Sequence, residues 1–107
     1  MSTKHIRAVA FREGDVWVVH GVEYDIVAQA KDPLDAPEAF IRTLLSTLMI
    51  NRRLGRSGFE RLNSAPSKYR DMFERANRQI KSLEQPQVLD DLPRPRLDLR
   101  VYRQEAA

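Results

Sequence analysis

The 107-residue sequence predicts an α/β (α+β) fold: an antiparallel sheet of three to four strands with one long helix packed on it, then a second helix and a C-terminal strand. Three observations carry this. The N-terminal thirty residues hold three strand-like runs separated by turn signals. Apolar residues recur at helical spacing after Asp35. Leu97, Leu99 and Val101 alternate with Asp98, Arg100 and Tyr102 near the C-terminus.

The first strand falls in His5 to Arg12. Val9 and Phe11 lie on one face and Ala8 and Ala10 on the other, so alternation selects no single buried face. Glu13-Gly14-Asp15 is a turn, with glycine able to take positive φ. Val16-Trp17-Val18-Val19 has high strand propensity. Pairing about Glu13 and Gly14 sets Arg7 opposite His20 and His5 opposite Val22. After a break at Gly21 to Glu23, Tyr24, Ile26, Ala28 and Ala30 alternate with Asp25, Val27, Gln29 and Lys31, which predicts a strand with one buried face.

The first helix opens on Asp35 as N-cap, with Glu38 as the other half of a capping box. Asp32 before Pro33 is a competing start. Phe40, Ile41, Leu44, Leu45, Leu48 and Met49 form a broad apolar stripe, wide enough to cover a sheet and touch something beside it. Arg52 and Arg53 suit the negative end of the helix dipole, and Gly55 suits a stop. Gly55 to Ala65 reads as a polar loop. A second helix is predicted from Pro66 to Leu83 on the spacing of Tyr69, Met72, Phe73, Ala76, Ile80 and Leu83. Pro86, Pro93 and Pro95 then mark a semi-extended linker. Residues 1–85 are thus expected to form a single domain. Residues 86–107 are expected to be a linker and a strand that either closes its own sheet or crosses to a second subunit.

Hydrophobic residues make up 42% and charged residues 31%, which fits a globular chain and excludes global disorder. No uninterrupted apolar run exceeds the four residues of Ala8 to Phe11 and Val16 to Val19, far below the ~20 residues a membrane helix needs, and Met1 to Arg7 have no apolar segment of a secretory signal. No membrane association and a cytoplasmic location are therefore expected. The absence of cysteine removes disulfides, thiolate nucleophiles and cysteine-based metal sites.

The net charge of +3 is unevenly spread. Residues 1–50 carry five basic and seven acidic side chains, residues 51–85 nine and four, and residues 86–107 four of each. Most cations are arginine, whose planar fork suits phosphate or carboxylate. Arg52, Arg53, Arg56, Arg61, Arg70 and Arg78 are therefore the candidate contact residues for a partner or a nucleic acid, against the plainer reading of a solvated helical face.

Catalytic chemistry finds little footing. His5 and His20 read as surface groups at strand ends with no third convergent ligand. Asp25, Asp32, Asp35 and Glu38 cluster in sequence, but two of them are spoken for by the helix cap. Gly55-Arg56-Ser57-Gly58 lacks the lysine and the strand context of a phosphate loop. Trp17 and Phe11 read as core rather than as a platform for stacking bases. No catalytic residue, metal or cofactor is expected, and the protein is expected not to be an enzyme.

Ala8 to Phe11, the Glu13-Gly14-Asp15 turn, Val16-Trp17-Val18-Val19, a third strand ending in Ala28-Gln29-Ala30, and a helix opening Asp35-Ala36-Pro37-Glu38-Ala39 follow one another in order. Over residues 5–50 this order resembles the HicB-like antitoxin family. The resemblance implies a degraded RNase-H-like or double-stranded-RNA-binding-like fold, dimeric or higher, without catalytic residues, that neutralises a small mRNA-cleaving RNase toxin of the HicA type. Two features depart from the family. Glu23-Tyr24-Asp25 stand where it has a Gly-Cys pair, and the segment after Gly55 lacks its ribbon-helix-helix or helix-turn-helix pattern. The expected function is antitoxin-like protein–protein binding, to a toxin or as a homodimer, with nucleic-acid binding through the Arg-rich 52–81 segment as the alternative.

Overall fold

The computed structural model describes residues 3–55, 62–76, 78–84 and 94–103. Residues 85–93 of the expected proline linker and most of the loop after Gly55 lie outside the described residues, while Arg94 and Pro95, also expected in the linker, open the last strand. The chain is an α+β fold built on a mixed sheet. Strands β1 (Thr3–Glu13), β2 (Val16–Gly21) and β3 (Val27–Ala30) form a meander, followed by helices α1 (Ala36–Arg53) and α2 (Ser67–Arg75) and strands β4 (Arg78–Glu84) and β5 (Arg94–Tyr102). The sheet order is β3-β2-β1-β5-β4.

The sheet is not purely antiparallel, which corrects the expectation. β5 runs parallel to β1, from Thr3↔Arg94 to Phe11↔Tyr102, while its pairing with β4 and the pairings within the meander are antiparallel. The hairpin uses one edge of β1 and leaves the other with unpaired N–H and C=O groups. A strand arriving after two helices is free of the reversal that a tight turn imposes, and it fills that edge in parallel.

This placement explains the weak alternation of β1. Ile6, Ala8 and Ala10 are buried on one face with Val19, Ile26, Ala28, Leu97, Leu99 and Val101, under Phe40, Ile41, Leu44 and Leu48 of α1. Val9 is buried on the other face with Val22 and Phe73, beside Phe11, Tyr69, Met72 and Tyr102. Successive side chains on a strand point to opposite faces, so α1 and α2 cover opposite sides of the sheet. β3 lies at the edge and is covered on one side only: Ile26 and Ala28 are buried, and Asp25, Val27 and Gln29 are exposed.

The hairpin register differs by two residues from the expected one. Glu13 pairs with Val16, so Gly14 and Asp15 form a two-residue loop and Val9, not Arg7, lies opposite His20. Gly14 has φ +63° and no non-glycine residue in the described chain has positive φ, the φ pattern of a type II′ turn. At the helix start the competing cap prevails. The Asp32 side chain accepts from the Leu34 N–H at 2.8 Å and opens a 3-10 turn over Pro33–Asp35, whereas the Asp35 side chain caps nothing. The α1 stripe is narrower in use than in sequence. Leu45 is half-buried and Met49 is 45% exposed.

The second helix ends at Arg75 rather than Leu83, because Ala76 turns to extended backbone. Ile80 and Leu83 then pair opposite Leu99 and Leu97, with a register shift between them. An extra residue in one strand lets an i, i+3 spacing pair with an i, i+2 spacing in its neighbour, so helical spacing and a bulged strand look alike in sequence. Pairing decides the outcome, because without β4 the outer edge of β5 would be open.

The chain passes from the α1 side to the α2 side around one end of the meander. There the Asp25 N–H donates to the Asn63 carbonyl at 2.8 Å, and Tyr24 bridges Ser64. The turn from β2 into β3 is tight as well: a Cβ on Gly21 would lie 2.3 Å from the Tyr24 carbonyl oxygen. Two variants measure these constraints by chemical denaturation. Phe40→Ala, at a fully buried ring, is expected to cost about 3–5 kcal/mol. Gly21→Ala is expected to cost about 1–3 kcal/mol through overpacking, although alanine is otherwise the better backbone residue.

Candidate functional site

The face of the sheet under α2 gathers the chain's polar and aromatic chemistry. β2 presents Val18 and His20, with Val22 just after it, and β1 presents Phe11, Val9 and Arg7 beside them. α2 is only nine residues long and lays Tyr69, Met72 and Phe73 over this surface, because residues three and four apart share one helix face.

His20 is buried rather than at the surface as expected. Its Nδ1 lies 2.9 Å from the Gly21 carbonyl and its Nε2 lies 3.1 Å from Asp25 Oδ1. Both ring nitrogens face oxygen acceptors, so a neutral ring donates to one of them and an imidazolium to both. Tyr69 stacks on the imidazole with centroids 3.5 Å apart and planes 11° apart, and Phe11 lies 6.2 Å from Tyr69 on a similar tilt. The His20 side chain is 6% exposed under Tyr69, whereas its partner Asp25 reaches solvent, and the stack ties α2 to the meander. His5 is exposed on β1.

A second polar group lies farther along the same face. The Arg7 guanidinium and backbone N–H both donate to the Glu23 carboxylate. Arg7 and Arg100 both lie over the Phe73 ring, at 5.5 and 4.2 Å from its centroid. The cations thereby cover an aromatic side chain that is itself 3% exposed, and their favourable placement over the ring helps fix the short helix.

At the hairpin end of the sheet a surface cleft of about 550 Å³ opens next to this cluster. Phe11 of β1, Tyr102 of β5 and Met72 of α2 line it from the α2 face and Trp17 of β2 from the α1 face, with Arg12, Gly14 and Arg103. All three rings stand on strands and are half-buried, so they are fixed in position while still reaching solvent. The Arg12 Nε donates to the Gly14 carbonyl at 3.0 Å, which holds this guanidinium at the turn. Sequence reading assigned Phe11 and Trp17 to the core. The part they play in a cleft depends on the parallel pairing Phe11↔Tyr102, which no local pattern signals.

The arginines singled out by charge are distributed over several elements. Arg52 and Arg53 are exposed in the last turn of α1, and Arg70 is exposed on α2, across the sheet from α1. Arg78 opens β4 opposite Val101, and Arg56 and Arg61 lie outside the described residues. The acids expected to cluster also separate. Asp25 meets His20, Asp32 caps the 3-10 turn, and Glu38 pairs with Arg42 one helical turn on. Among the described residues no group of three His, Asp or Glu side chains could hold a metal ion, and no helix is long and apolar enough to cross a membrane.

No protein-family profile, curated protein or solved structure matches this chain.

The stacked cluster makes a testable assignment. Tyr69→Ala is expected to destabilise the fold by about 2 kcal/mol, below the cost of a fully buried ring because Tyr69 is half-buried. Asp25→Asn is expected to cost no more than about 1 kcal/mol, since Asp25 is 44% exposed. Urea midpoints of the two variants check the order; a larger loss for Asp25→Asn would contradict it.

Proposed function

We propose that the protein is an antitoxin-like binding protein of the HicB-like type, whose partner is a small basic RNase toxin. The observation that carries this reading is the acidic surface around the meander and the start of α1. Residues 13–38 hold seven acidic side chains and one lysine, and Glu13, Asp15, Asp25, Asp32, Asp35 and Glu38 are all exposed. They sit on the β-β-β-α unit that resembles the family, beside the short edge strand β3. A surface of one sign speeds and orients docking of a partner of the other sign. An exposed strand edge offers backbone groups for a partner to pair with.

The alternative, nucleic-acid binding through the 52–81 segment, has less support. Arg52 and Arg53 belong to α1 and Arg70 to α2, and these helices cover opposite faces of the sheet. Self-association is the competing form of protein binding, and Met49, Ile50 and Leu54 are exposed near the end of α1.

Affinity purification of the full chain from its native cells at low salt tests the proposal. A short basic protein is expected to co-purify, to cleave RNA once freed, and to stop when the chain is added back. The complex is expected to weaken at about 1 M salt, where the screening length is about 3 Å, and in the combined variant Asp15→Asn, Asp35→Asn and Glu38→Gln. Recovery of the chain alone or only with itself, or of a partner whose RNase activity the chain leaves untouched, would overturn it.

A further inference from the structure

We infer that a second copy of this chain docks on β3: the β3 edges of the two copies pair antiparallel, and the two α1 helices lie side by side over the joint. The inference does not rest on the toxin reading.

β3 ends the sheet order, and among the described residues no strand pairs with its outer side. The Gly21 N–H donates to the Ile26 carbonyl at 2.9 Å, and the register continues through Val19↔Ala28 and Trp17↔Ala30. Bonded pairs alternate along an antiparallel ladder, so Ala28 and Ala30 direct their backbone groups to β2 while Val27 and Gln29 direct theirs outward. The Asp25 N–H already donates to Asn63, so the open stretch begins at Val27. Its sequence does nothing to discourage pairing, since Val27–Ala30 reads Val-Ala-Gln-Ala, without charge or proline. The opposite edge strand, β4, holds Arg78, Lys81 and Glu84 in sequence and shifts register between Ile80 and Leu83. Charges and irregular register are how sheets keep an edge from pairing, so the two edges differ in kind.

The helix over this edge selects the occupant. α1 lies mainly over β3 and β2. Thr43, Thr47 and Asn51 line a recess of about 340 Å³ at the start of β3, which turns this flank of the helix toward the open edge. Ile50 and Leu54 continue the row of Thr43 and Thr47 at helical spacing. The large hydrophobic side chains exposed among the described residues are Val27 on β3, Leu34 just before α1, and Met49, Ile50 and Leu54 at its end. All of them lie on the edge strand or at the two ends of the helix beside it. A two-fold axis normal to the sheet at β3 keeps each face on its side and reverses every direction within the sheet, so the two α1 helices run antiparallel on one face. The start of each helix then comes toward the end of the other. Leu34 comes toward Ile50 and Leu54, and the acidic start at Asp32 and Asp35 comes toward the basic end at Arg53. The surface is thus complementary to itself in hydropathy and in charge, as an isologous contact requires.

Sedimentation equilibrium of the full chain tests this. A species of twice the 12.4 kDa chain mass is expected at about 100 μM, dissociating on dilution. Gln29→Pro removes an outward N–H that β2 does not use, and Ile50→Lys places a charge on an exposed position of the α1 flank. Each is expected to weaken the dimer by about tenfold or more while circular dichroism stays that of the parent. If Gln29→Pro disturbs the fold, Ile50→Lys decides. The amides of Val27 and Gln29 are expected to exchange slowly in the dimer and fast after dilution to the monomer. A monomer at about 100 μM, a dimer that Ile50→Lys leaves as tight as the parent, or free exchange of Val27 and Gln29 in the dimer would overturn the inference. Dimerisation without recovery of a basic RNase leaves it standing and removes the toxin reading; a monomer that silences such an RNase does the reverse.

Discussion

The structure depends on the pairing of β1 with two neighbours of opposite direction. β2 follows it through a two-residue turn and runs antiparallel; β5 arrives some eighty residues later and runs parallel. This makes β1 a central strand in a chain of only 107 residues, with apolar side chains buried on both faces. Small domains bury a limited fraction of their surface, and a strand used on both sides adds core without adding length. The position of each helix follows. α1 covers the face of Ile6, Ala8 and Ala10, and α2 covers the face of Val9 and Phe11. The loop at Asn63 and Ser64 carries the chain from one to the other against Tyr24 and Asp25.

The two faces divide the work. Under α1 the core is aliphatic around Phe40, and Asn51 near the end of the helix is the buried polar side chain of α1. Under α2 the layer is thin, and it is held as much by directional contacts as by area: His20 stacked on Tyr69, and two guanidinium groups over Phe73. A nine-residue helix buries only Phe73 fully, so these contacts fix where it lies. The cleft at the hairpin end forms where this layer runs out. The strands continue beyond the reach of α2, where Phe11 and Tyr102 on this face and Trp17 on the other line it with Arg12 and Arg103.

Much of this was legible where one local rule acted alone. β3 lies at an edge with one covered face, and its alternation from Tyr24 to Ala30 named the buried set. The row of Phe40, Ile41, Leu44 and Leu48 named the covered side of α1. Legibility failed where two constraints met at one residue. Ala8 to Phe11 show no single face because both are buried. Ile80 and Leu83 keep a helical spacing that a shifted strand register also satisfies. Asp32 and Asp35 both fit a cap, and the extra 3-10 turn decided for Asp32. His20 looked like a surface group because its cover comes from Tyr69, 49 positions along the chain. The cleft could not be read at all, since Tyr102 meets Phe11 only through the parallel register.

β1 is hydrogen-bonded along both edges. The Arg7 carbonyl accepts from Val22, just beyond β2, so Val9 and Phe11 direct their backbone groups to β2, and Ile6, Ala8 and Ala10 direct theirs to β5. Residue-resolved amide hydrogen exchange of the native protein reads this directly. Consecutive protection from Ile6 to Phe11, with protection of Leu97 to Val101 lost at the same global free energy, is the predicted result. Protection of Val9 and Phe11 alone, with Ala8 and Ala10 exchanging at the rate of an open strand, would contradict it.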